Sequence, residues 1–284
     1  MKASYKSLTI FCSFAFAPVW AVCAVLLCSR LSDLWMFVIF AGFMFMPALA
    51  SILTRCLCHV GFRDMYIRPR FRGNIGRYVL SWLWPIILTI TGGLIFFLFF
   101  PSLFDTSFSL LLSQGVSEDM LPGVLISNAA AVLVGPLLNL VPAFGEELGW
   151  RGYLLPKLMT RMSARQATVV SGLIWGLWHA PMIALGHNYG FDYVGYPWTG
   201  IMLMVLFCVF FGVFLSWLTI RTGSVIPAAL AHGGINAVAA AGLLFCRPGN
   251  STLLGPTPVG IVGGIPVILA GIFFYISLQK AEQP

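Results

Sequence analysis

The sequence is poor in charge. Only 9% of its 284 residues are Asp, Glu, Lys or Arg, whereas soluble proteins carry about 25%. Hydrophobic residues make up 59% of the chain, and the mean hydropathy is +0.93. This leaves too little polar surface to cover a fold in water. The composition therefore excludes an ordinary soluble domain and predicts an integral membrane protein.

Several sequence motifs are also missing. The chain has no G-x-S-x-G nucleophile elbow and no phosphate-binding glycine loop, so it gives no support to acyl-enzyme or nucleotide chemistry. The seven cysteines form no C-x-x-C pair and are interpreted as small hydrophobic residues. The 16 Lys and Arg residues are scattered between apolar runs, which argues against a nucleic-acid partner.

What the sequence does contain is eight uncharged stretches of about 20 residues, long enough for a helix to cross ~30 Å of hydrocarbon. They are residues 8–28, 34–54, 78–100, 121–145, 166–186, 198–220, 224–246 and 259–278. The predicted fold class is all-α, a polytopic membrane helix bundle with about eight transmembrane helices. We expect residues 1–284 to form a single integral domain in the cell membrane, with the first stretch retained instead of being cleaved as a signal peptide.

The basic residues predict the orientation of the bundle, because Lys and Arg collect on the cytoplasmic side of a membrane. With both termini cytoplasmic, only Arg30 and Arg247 fall outside. The inner segments then hold Lys2, Lys6, Arg55, Arg63, Arg68, Arg70, Arg72, Arg77, Arg151, Lys157, Arg161, Arg165, Arg221 and Lys280, and the outer segments hold Asp33, Asp105, Glu118, Asp119 and Asp192. We expect the basic linker 55–77 to lie on anionic lipid of the inner leaflet.

A few polar residues lie in the apolar stretches, where an ionisable group is costly unless it is paired or hydrated. They are Glu146, Glu147, Arg151, His179, His232 and Asn236. Counted along each helix from the nearest cytoplasmic charge at 1.5 Å per residue, Glu146, His179 and His232 lie roughly 16, 21 and 16 Å deep. The similar depths predict one shared site, within a catalytic core over residues 121–244.

Local spacing predicts some contacts within this site. Residues four apart are neighbours on a helix, so Glu147 is expected to pair with Arg151. The segment 121–157 is too long for one straight crossing, and its prolines are expected to kink it into a water-filled cavity. Trp175 is interpreted as a packing residue of the site wall. His187 is interpreted as an interfacial residue at an outer helix end.

The residue types of the site suit amide hydrolysis. A carboxylate and an imidazole can together deprotonate a water molecule. A second imidazole, with an amide four residues further along the same helix, can donate hydrogen bonds to the oxyanion that forms at a carbonyl carbon. Glu146 with His179 would supply the first pair of groups, and His232 with Asn236 would supply the second.

At these residues the sequence resembles the CPBP intramembrane protease family, which includes the type II CAAX prenyl endopeptidases and the bacterial Abi proteins associated with bacteriocin processing and immunity. The family motifs are E-E-x-x-x-R, F-x-x-x-H and H-x-x-x-N. In this chain they are Glu146-Glu147 to Arg151, Trp175 to His179, and His232 to Asn236, with Trp175 where the family has Phe.

The resemblance implies an eight-helix bundle that acts as an intramembrane endopeptidase. It also implies that Glu146 and His179 activate water, that His232 and Asn236 form the oxyanion site, and that Glu147 and Arg151 support the structure. We expect the peptide bond to be cut near the cytoplasmic half of the membrane. The expected partners are membrane lipid and a peptide or lipidated-protein substrate.

Alternatives remain at this stage. Glu146, His179 and His232 would suffice as a three-ligand zinc site with an open position, although a metal-free reaction is favoured and no cofactor is expected. Buried Glu and His residues also occur in proton relays of transporters. A bacteriocin-immunity or scaffold protein that binds without cleaving is a third possibility.

Overall fold

The computed structural model describes residues 5–29 and 32–279, so Lys2, Arg30 and Lys280 lie outside the described residues. The model is 72% helical and has no β-strand in the described ranges. The α-helices are α1 (Tyr5–Leu26), α2 (Asp33–Phe43), α3 (Met46–Leu57), α4 (Ile75–Phe99), α5 (Ser109–Ser113), α6 (Leu121–Leu138), α7 (Leu140–Gly149), α8 (Leu155–Met159), α9 (Ala164–Trp178), α10 (Ala180–Ile183), α11 (Trp198–Thr222), α12 (Ile226–Val238) and α13 (Ile265–Gln279). A π-helical turn, Trp150–Leu154, joins α7 to α8, and short 3₁₀ turns occupy Pro101–Leu103, Glu118–Met120 and Ala241–Phe245.

The prediction of a polytopic helical membrane protein is confirmed. Each of the eight apolar stretches is helical over most of its length, and six of them form helical segments long and apolar enough to cross a membrane. The fifth and eighth stretches are shorter as helices, because α9 and α13 have 15 residues each. A capping box between Ser163 and Gln166 begins α9. The helix ends just before Pro181, which lacks the N–H needed to continue it.

The two ends of the described chain lie at one face of the bundle, here called the basic face, which carries Arg161, Arg165 and Arg221. The guanidinium group of Arg161 lies 3.7 Å from the ring centroid of Tyr5 at the start of α1. Arg165 donates to the carbonyl of Tyr275, and Arg221 donates to that of Ser277, both near the end of α13. The two ends of the described part of the chain therefore lie on the same side of the bundle as these arginines, as the predicted topology requires.

The basic linker is fastened to the same face. Arg55, almost fully buried at the end of α3, donates to the Asp64 carboxylate at 2.5 Å and to the Gly152 carbonyl at 2.9 Å. Lys157 of α8 donates to the other carboxylate oxygen of Asp64 at 2.6 Å. Arg63 and Arg68 remain exposed on the linker. Asp64 thus joins α3 and α8 through two cations.

The opposite face, here called the acidic face, is made of the loops at the other helix ends. Residues 103–105 pair with residues 245–247 through backbone hydrogen bonds. The Tyr189 hydroxyl donates to the Val259 carbonyl at 2.8 Å, which joins the loop after α10 to the loop before α13. Asp105 and Asp192 lie in the loops of this face, in contrast to the arginines and lysines of the other one.

The long segment 121–157 is interrupted twice. Helix α6 ends at Leu138 and α7 begins at Leu140, so the first break falls at Asn139, between Pro136 and Pro142. The second irregularity is the π-helical turn that starts at Trp150. Turns of this kind often occur at functional sites. This one follows directly after the two adjacent glutamates.

Two glycines bring α9 and α11 together. A Cβ atom added to Gly172 would lie 2.7 Å from the Cα of Val209, and one added to Gly176 would lie 2.6 Å from the Cα of Val205. Only a residue without a side chain permits this approach. The close contact holds the end of α9, which carries Trp175 and His179, against the middle of the bundle.

Candidate active site

The first element of the site is an ion pair within one helical segment. Arg151 donates from Nη1 to Oε1 of Glu147 at 2.9 Å, and both side chains are fully buried. The second Arg151 nitrogen, Nη2, lies 3.4 Å from the Gly212 carbonyl of α11. The guanidinium group also lies 4.5 Å from the ring centroid of Trp175. Arg151 therefore neutralises Glu147 and links α7 to α9 and α11.

His232 is bound to the same carboxylate oxygen. Its Nδ1 lies 2.9 Å from Oε1 of Glu147. An ionised carboxylate only accepts hydrogen bonds, so Nδ1 must carry a proton in this pair. The other ring nitrogen, Nε2, is then the one left for a ligand. Local spacing predicted the contact of Glu147 with Arg151 but not this one, because His232 lies 85 residues further along the chain.

Glu146 is held by two tryptophans. Its Oε2 accepts hydrogen bonds from Nε1 of Trp175 at 2.8 Å and from Nε1 of Trp150 at 3.2 Å. Its Oε1 has no hydrogen-bond partner among residues 5–29 and 32–279. Glu146 as a whole residue is only 3% exposed, yet it lines a cavity. One oxygen is thus fixed by the protein, and the other is left for a molecule in the cavity.

His179 is oriented by its own helix. Its Nδ1 lies 2.9 Å from the carbonyl oxygen of Trp175. A carbonyl oxygen can only accept, so the proton of a neutral His179 lies on Nδ1 and the lone pair lies on Nε2. The ring packs edge to face against Trp178, with centroids 4.9 Å apart. This tautomer presents a proton acceptor, which is what a general base needs.

All four proposed catalytic residues line one cavity of about 520 Å³. Asn236 lies one helical turn beyond His232 and is exposed to this space. The remaining wall is largely apolar and includes Phe40, Met182, Met204 and Phe207. The cavity can therefore hold an apolar chain next to a cluster of polar groups, as ligand sites commonly do.

Three contributors to this site were not anticipated. Trp150 was missed, although it follows Glu146 by four residues and so lies on the same helix face. Trp175 was expected to pack, and its indole N–H proves to be a hydrogen-bond donor to Glu146. His187 was interpreted only as an interfacial residue. Its ring lines the cavity and contacts Phe40, with centroids 5.3 Å apart.

The residues that could hold a metal ion are Glu146, His179 and His232. Within the described residues, no three His, Cys, Asp or Glu side chains lie close enough together to hold a metal ion. The nitrogen Nδ1 is engaged in both His179 and His232, as is usual for the second nitrogen of a metal-bound histidine, and Oε2 of Glu146 is engaged by two indoles. Nε2 of each ring and Oε1 of Glu146 are therefore the atoms that could bind a ligand.

Comparison with known proteins identifies relatives of the central segment. Residues 128–238 match the family described as Type II CAAX prenyl endopeptidase Rce1-like. CAAX prenyl protease 2 of Methanococcus maripaludis is 34% identical over 101 residues, which cover 35% of this chain and 37% of that protein. Lysostaphin resistance protein A of Staphylococcus epidermidis is 32% identical over 122 residues, which cover 43% of this chain and 26% of that protein.

The relatives extend well beyond the region of similarity. Lysostaphin resistance protein A of Staphylococcus haemolyticus is 26% identical over 156 residues, and the match covers 36% of its length. The chain therefore spans between about a quarter and somewhat over a third of the curated relatives it matches. All seven motif residues, from Glu146 to Asn236, lie inside the matched residues 128–238.

Proposed function

We propose that the chain is an intramembrane endopeptidase of the cell membrane and a member of the CPBP family, whose motifs it carries and whose Rce1-like members residues 128–238 resemble. The observation that carries the proposal is the state of the Glu146 carboxylate. Two indole N–H groups hold its Oε2, while Oε1 is left to the cavity that His179 also lines. A carboxylate held in this way is oriented to accept a proton from a water molecule.

In the proposed first step, a water molecule binds between Oε1 of Glu146 and Nε2 of His179. One of these two atoms takes a proton from the water, and the oxygen forms a bond to the carbonyl carbon of the substrate. The C–N bond of the tetrahedral intermediate then breaks, and the same proton passes to the departing amine nitrogen. The reaction consumes one water and leaves the two side chains in their starting states.

The proposed oxyanion site consists of His232 and Asn236. Because Nδ1 of His232 donates to Glu147, Nε2 can donate to an oxyanion only if the ring is an imidazolium. The cluster of Glu146, Glu147, Arg151 and His232 then carries two negative and two positive charges. A net charge of zero is what a buried site of low dielectric favours. The side-chain amide of Asn236 would supply the second donor.

We propose that this chemistry needs no metal. This view is supported by the spacing of Glu146, His179 and His232, which form no three-ligand group in the described part of the chain, and by Asn236, whose amide beside His232 suits an oxyanion site. Zinc chemistry would require Glu146, His179 and His232 to converge on a single ion. The metal-free scheme uses the side chains in the positions that they have.

The proposed substrate is a polypeptide that reaches the membrane, either unmodified or carrying a lipid. The name of one relative, CAAX prenyl protease 2, refers to a prenyl group. The apolar wall of the cavity offers a surface on which an alkyl chain can pack. Two other relatives are named for lysostaphin resistance. A role that depends on binding alone would survive the loss of the proposed base.

The test is cleavage by purified protein in detergent. Wild-type protein is incubated with a peptide library that includes farnesylated C-a-a-X peptides, and the products are identified by mass spectrometry. The Glu146→Gln variant keeps the shape of the side chain but not its basicity, so we expect no cleavage. Glu118→Gln, the same substitution on the exposed acidic face, is the matched control and should cleave normally. Turnover by Glu146→Gln, or no product from wild type, would rule out the proposal.

A further inference from the structure

The cavity extends from the active site in one direction only. On α7, the lining residue Pro142 precedes Glu146, whereas the basic face is reached after it, at Lys157. On α12, the lining residue Ala239 follows His232, whereas Arg221 of the basic face lies before it. On each of these helices the cavity thus lies toward the acidic face.

The third motif segment shows the same direction. Beyond His179 the chain passes through Met182 to His187, and both residues line the cavity. Arg165, which bonds to Tyr275 on the basic face, lies 14 residues before His179 on α9. In all three segments that carry the motifs, the cavity therefore lies between the catalytic groups and the acidic face.

Toward the basic face the site is closed by packed side chains. Beyond Glu146, Tyr153 and Leu154 are fully buried. Before His179, Ser171 and Thr168 are fully buried, and before His232, Ala228 is fully buried. A separate small cavity of about 110 Å³ lies at the basic face, next to Tyr66, and none of the proposed catalytic residues lines it. The two cavities share no lining residue, so the small one does not connect the site to the basic face.

Toward the acidic face the cavity is bordered by groups that are open to the surroundings. Asn188 is exposed and has a left-handed backbone conformation, with φ of 67°. The neighbouring Tyr189 is buried and fastened to Val259 and Thr252 by hydrogen bonds, so the turn that carries His187 and Asn188 is firmly held. The ring nitrogens of His187 have no hydrogen-bond partner among the described residues. They are therefore free to bind polar groups of a ligand that passes this point.

We propose that the substrate reaches the active site from the acidic face. The sequence assigns 13 of the 16 Lys and Arg residues to the opposite side, all but Arg30, Arg247 and the buried Arg151, which makes the basic face cytoplasmic. The acidic face then lies outside the cytoplasm, and the substrate is a peptide segment presented from the external side of the membrane. This revises the expectation that the reaction takes place near the cytoplasmic half. The direction of access follows from the cavity, and the side of the membrane follows from the distribution of Lys and Arg. That the molecule which enters is a substrate rests on the proposed function.

Accessibility of cysteine thiols tests the route without any need for proteolysis. Asn236→Cys places a thiol at the depth of the catalytic groups, and Ala239→Cys places one a turn nearer to the acidic face. The exposed or half-exposed native cysteines are replaced by Ser, namely Cys12, Cys28, Cys56 and Cys58, and the buried cysteines are kept. Each variant is treated with a charged, membrane-impermeant methanethiosulfonate, in right-side-out spheroplasts and in inverted vesicles of the expression host.

The chain supplies its own orientation controls. Cys28 follows α1 on the side of the acidic face, and Cys56 lies near the end of α3 on the basic face, and both are exposed. Variants that keep only one of them, together with the buried cysteines, report which face the reagent meets. We expect Cys28, Asn236→Cys and Ala239→Cys to be labelled in spheroplasts and Cys56 only in inverted vesicles. Ala239→Cys decides the result if Asn236→Cys is poorly folded in size-exclusion chromatography.

Three results would overturn the proposal. Labelling of both cavity positions only in inverted vesicles would place the opening in the cytoplasm. Labelling of Cys56 but not Cys28 in spheroplasts would reverse the orientation of the bundle. Absence of labelling from both sides would mean that the cavity is not open to water. The peptide-cleavage assay in detergent is independent of these results, so a failed access route and a failed protease assignment are told apart.

Discussion

Nε1 of Trp175 donates a 2.8 Å hydrogen bond to Oε2 of Glu146. The motif that this segment resembles has Phe at the position of Trp175, and a phenyl ring has no donor. The centroid of the indole ring also lies 4.5 Å from the guanidinium carbon of Arg151. It lies 5.2 Å from the centroid of the His232 ring. In this chain, Trp175 therefore contacts three of the charged or titratable groups of the site as well as forming its wall.

Replacing Trp175 by Phe should lower the turnover number while leaving the apparent substrate affinity nearly unchanged. A buried hydrogen bond to a charged group contributes about 1.5–3 kcal/mol, which corresponds to roughly 10- to 150-fold in rate. Trp150→Phe should have a smaller effect, because its hydrogen bond to Glu146 is longer, at 3.2 Å. The measurement is steady-state kinetics on a peptide that the wild type cleaves.

The control for this series is Trp217→Phe. Trp217 packs against Phe274, away from the cavity, with ring centroids 4.7 Å apart. The same loss of ring size should leave turnover unchanged there. Equal losses at Trp175 and Trp217 would mean that general packing matters and the hydrogen bond to Glu146 does not.

Local spacing was sufficient for some parts of this site and insufficient for others. The pair of Glu147 and Arg151 follows from their separation of four residues, since this spacing makes neighbours on any helix. The contact of His232 with Glu147 depends on how α12 packs against α7, and no local pattern encodes that packing. The similar depths predicted for Glu146, His179 and His232 indicated one site but could not give its hydrogen bonds.

The helix count shows a similar limit. Hydropathy identified all eight apolar stretches, because burial in lipid requires only composition and length. It could not show that α9 stops at Trp178, since the apolar residues continue through Pro181 into the loop at His187. For the same reason the role of His187 could not be predicted. The sequence places it at the end of a helix, whereas in the structure it lines the cavity.

Asn236→Ala tests the oxyanion site. A donor that acts mainly in the transition state is worth ~10² to 10³ in turnover, so turnover should fall by that amount while the apparent affinity changes little. Asn128→Ala is a suitable control, because the Asn128 amide only donates to the Val124 carbonyl within α6. Weaker apparent affinity with unchanged turnover would instead make Asn236 a substrate-binding residue.

Asp64 should make the stability of the bundle depend on pH. Burial raises the pKa of this carboxyl, but the hydrogen bonds from Lys157 and Arg55 outweigh it and lower the pKa below the ordinary 3.8. A lowered pKa in the folded state stabilises the protein above pH 3.8, and this contribution is lost as the pH falls through the lower, folded value.

The variant Asp64→Asn removes this contribution. We expect it to lower the unfolding temperature in detergent at pH 7, and we expect the difference from wild type to shrink as the medium is acidified below about pH 4. Asp192→Asn, in a loop of the acidic face, is the control and should unfold like wild type at both pH values. A difference between Asp64→Asn and wild type that is constant with pH would show that the ion pairs do not titrate in this way.

Metal content separates the two catalytic schemes. A zinc centre made of Glu146, His179 and His232 would bind tightly, so purified protein would contain close to one zinc per chain and would lose activity on prolonged chelation. A base made of a carboxylate and an imidazole needs no metal. The cleavage rate should then follow a bell-shaped pH profile, and its two apparent pKa values belong to the coupled pair. We expect substoichiometric zinc by plasma mass spectrometry and full cleavage after treatment with a membrane-permeant chelator. Stoichiometric zinc whose removal stops cleavage, and whose return restores it, would overturn the metal-free scheme and make Glu146, His179 and His232 ligands of the metal.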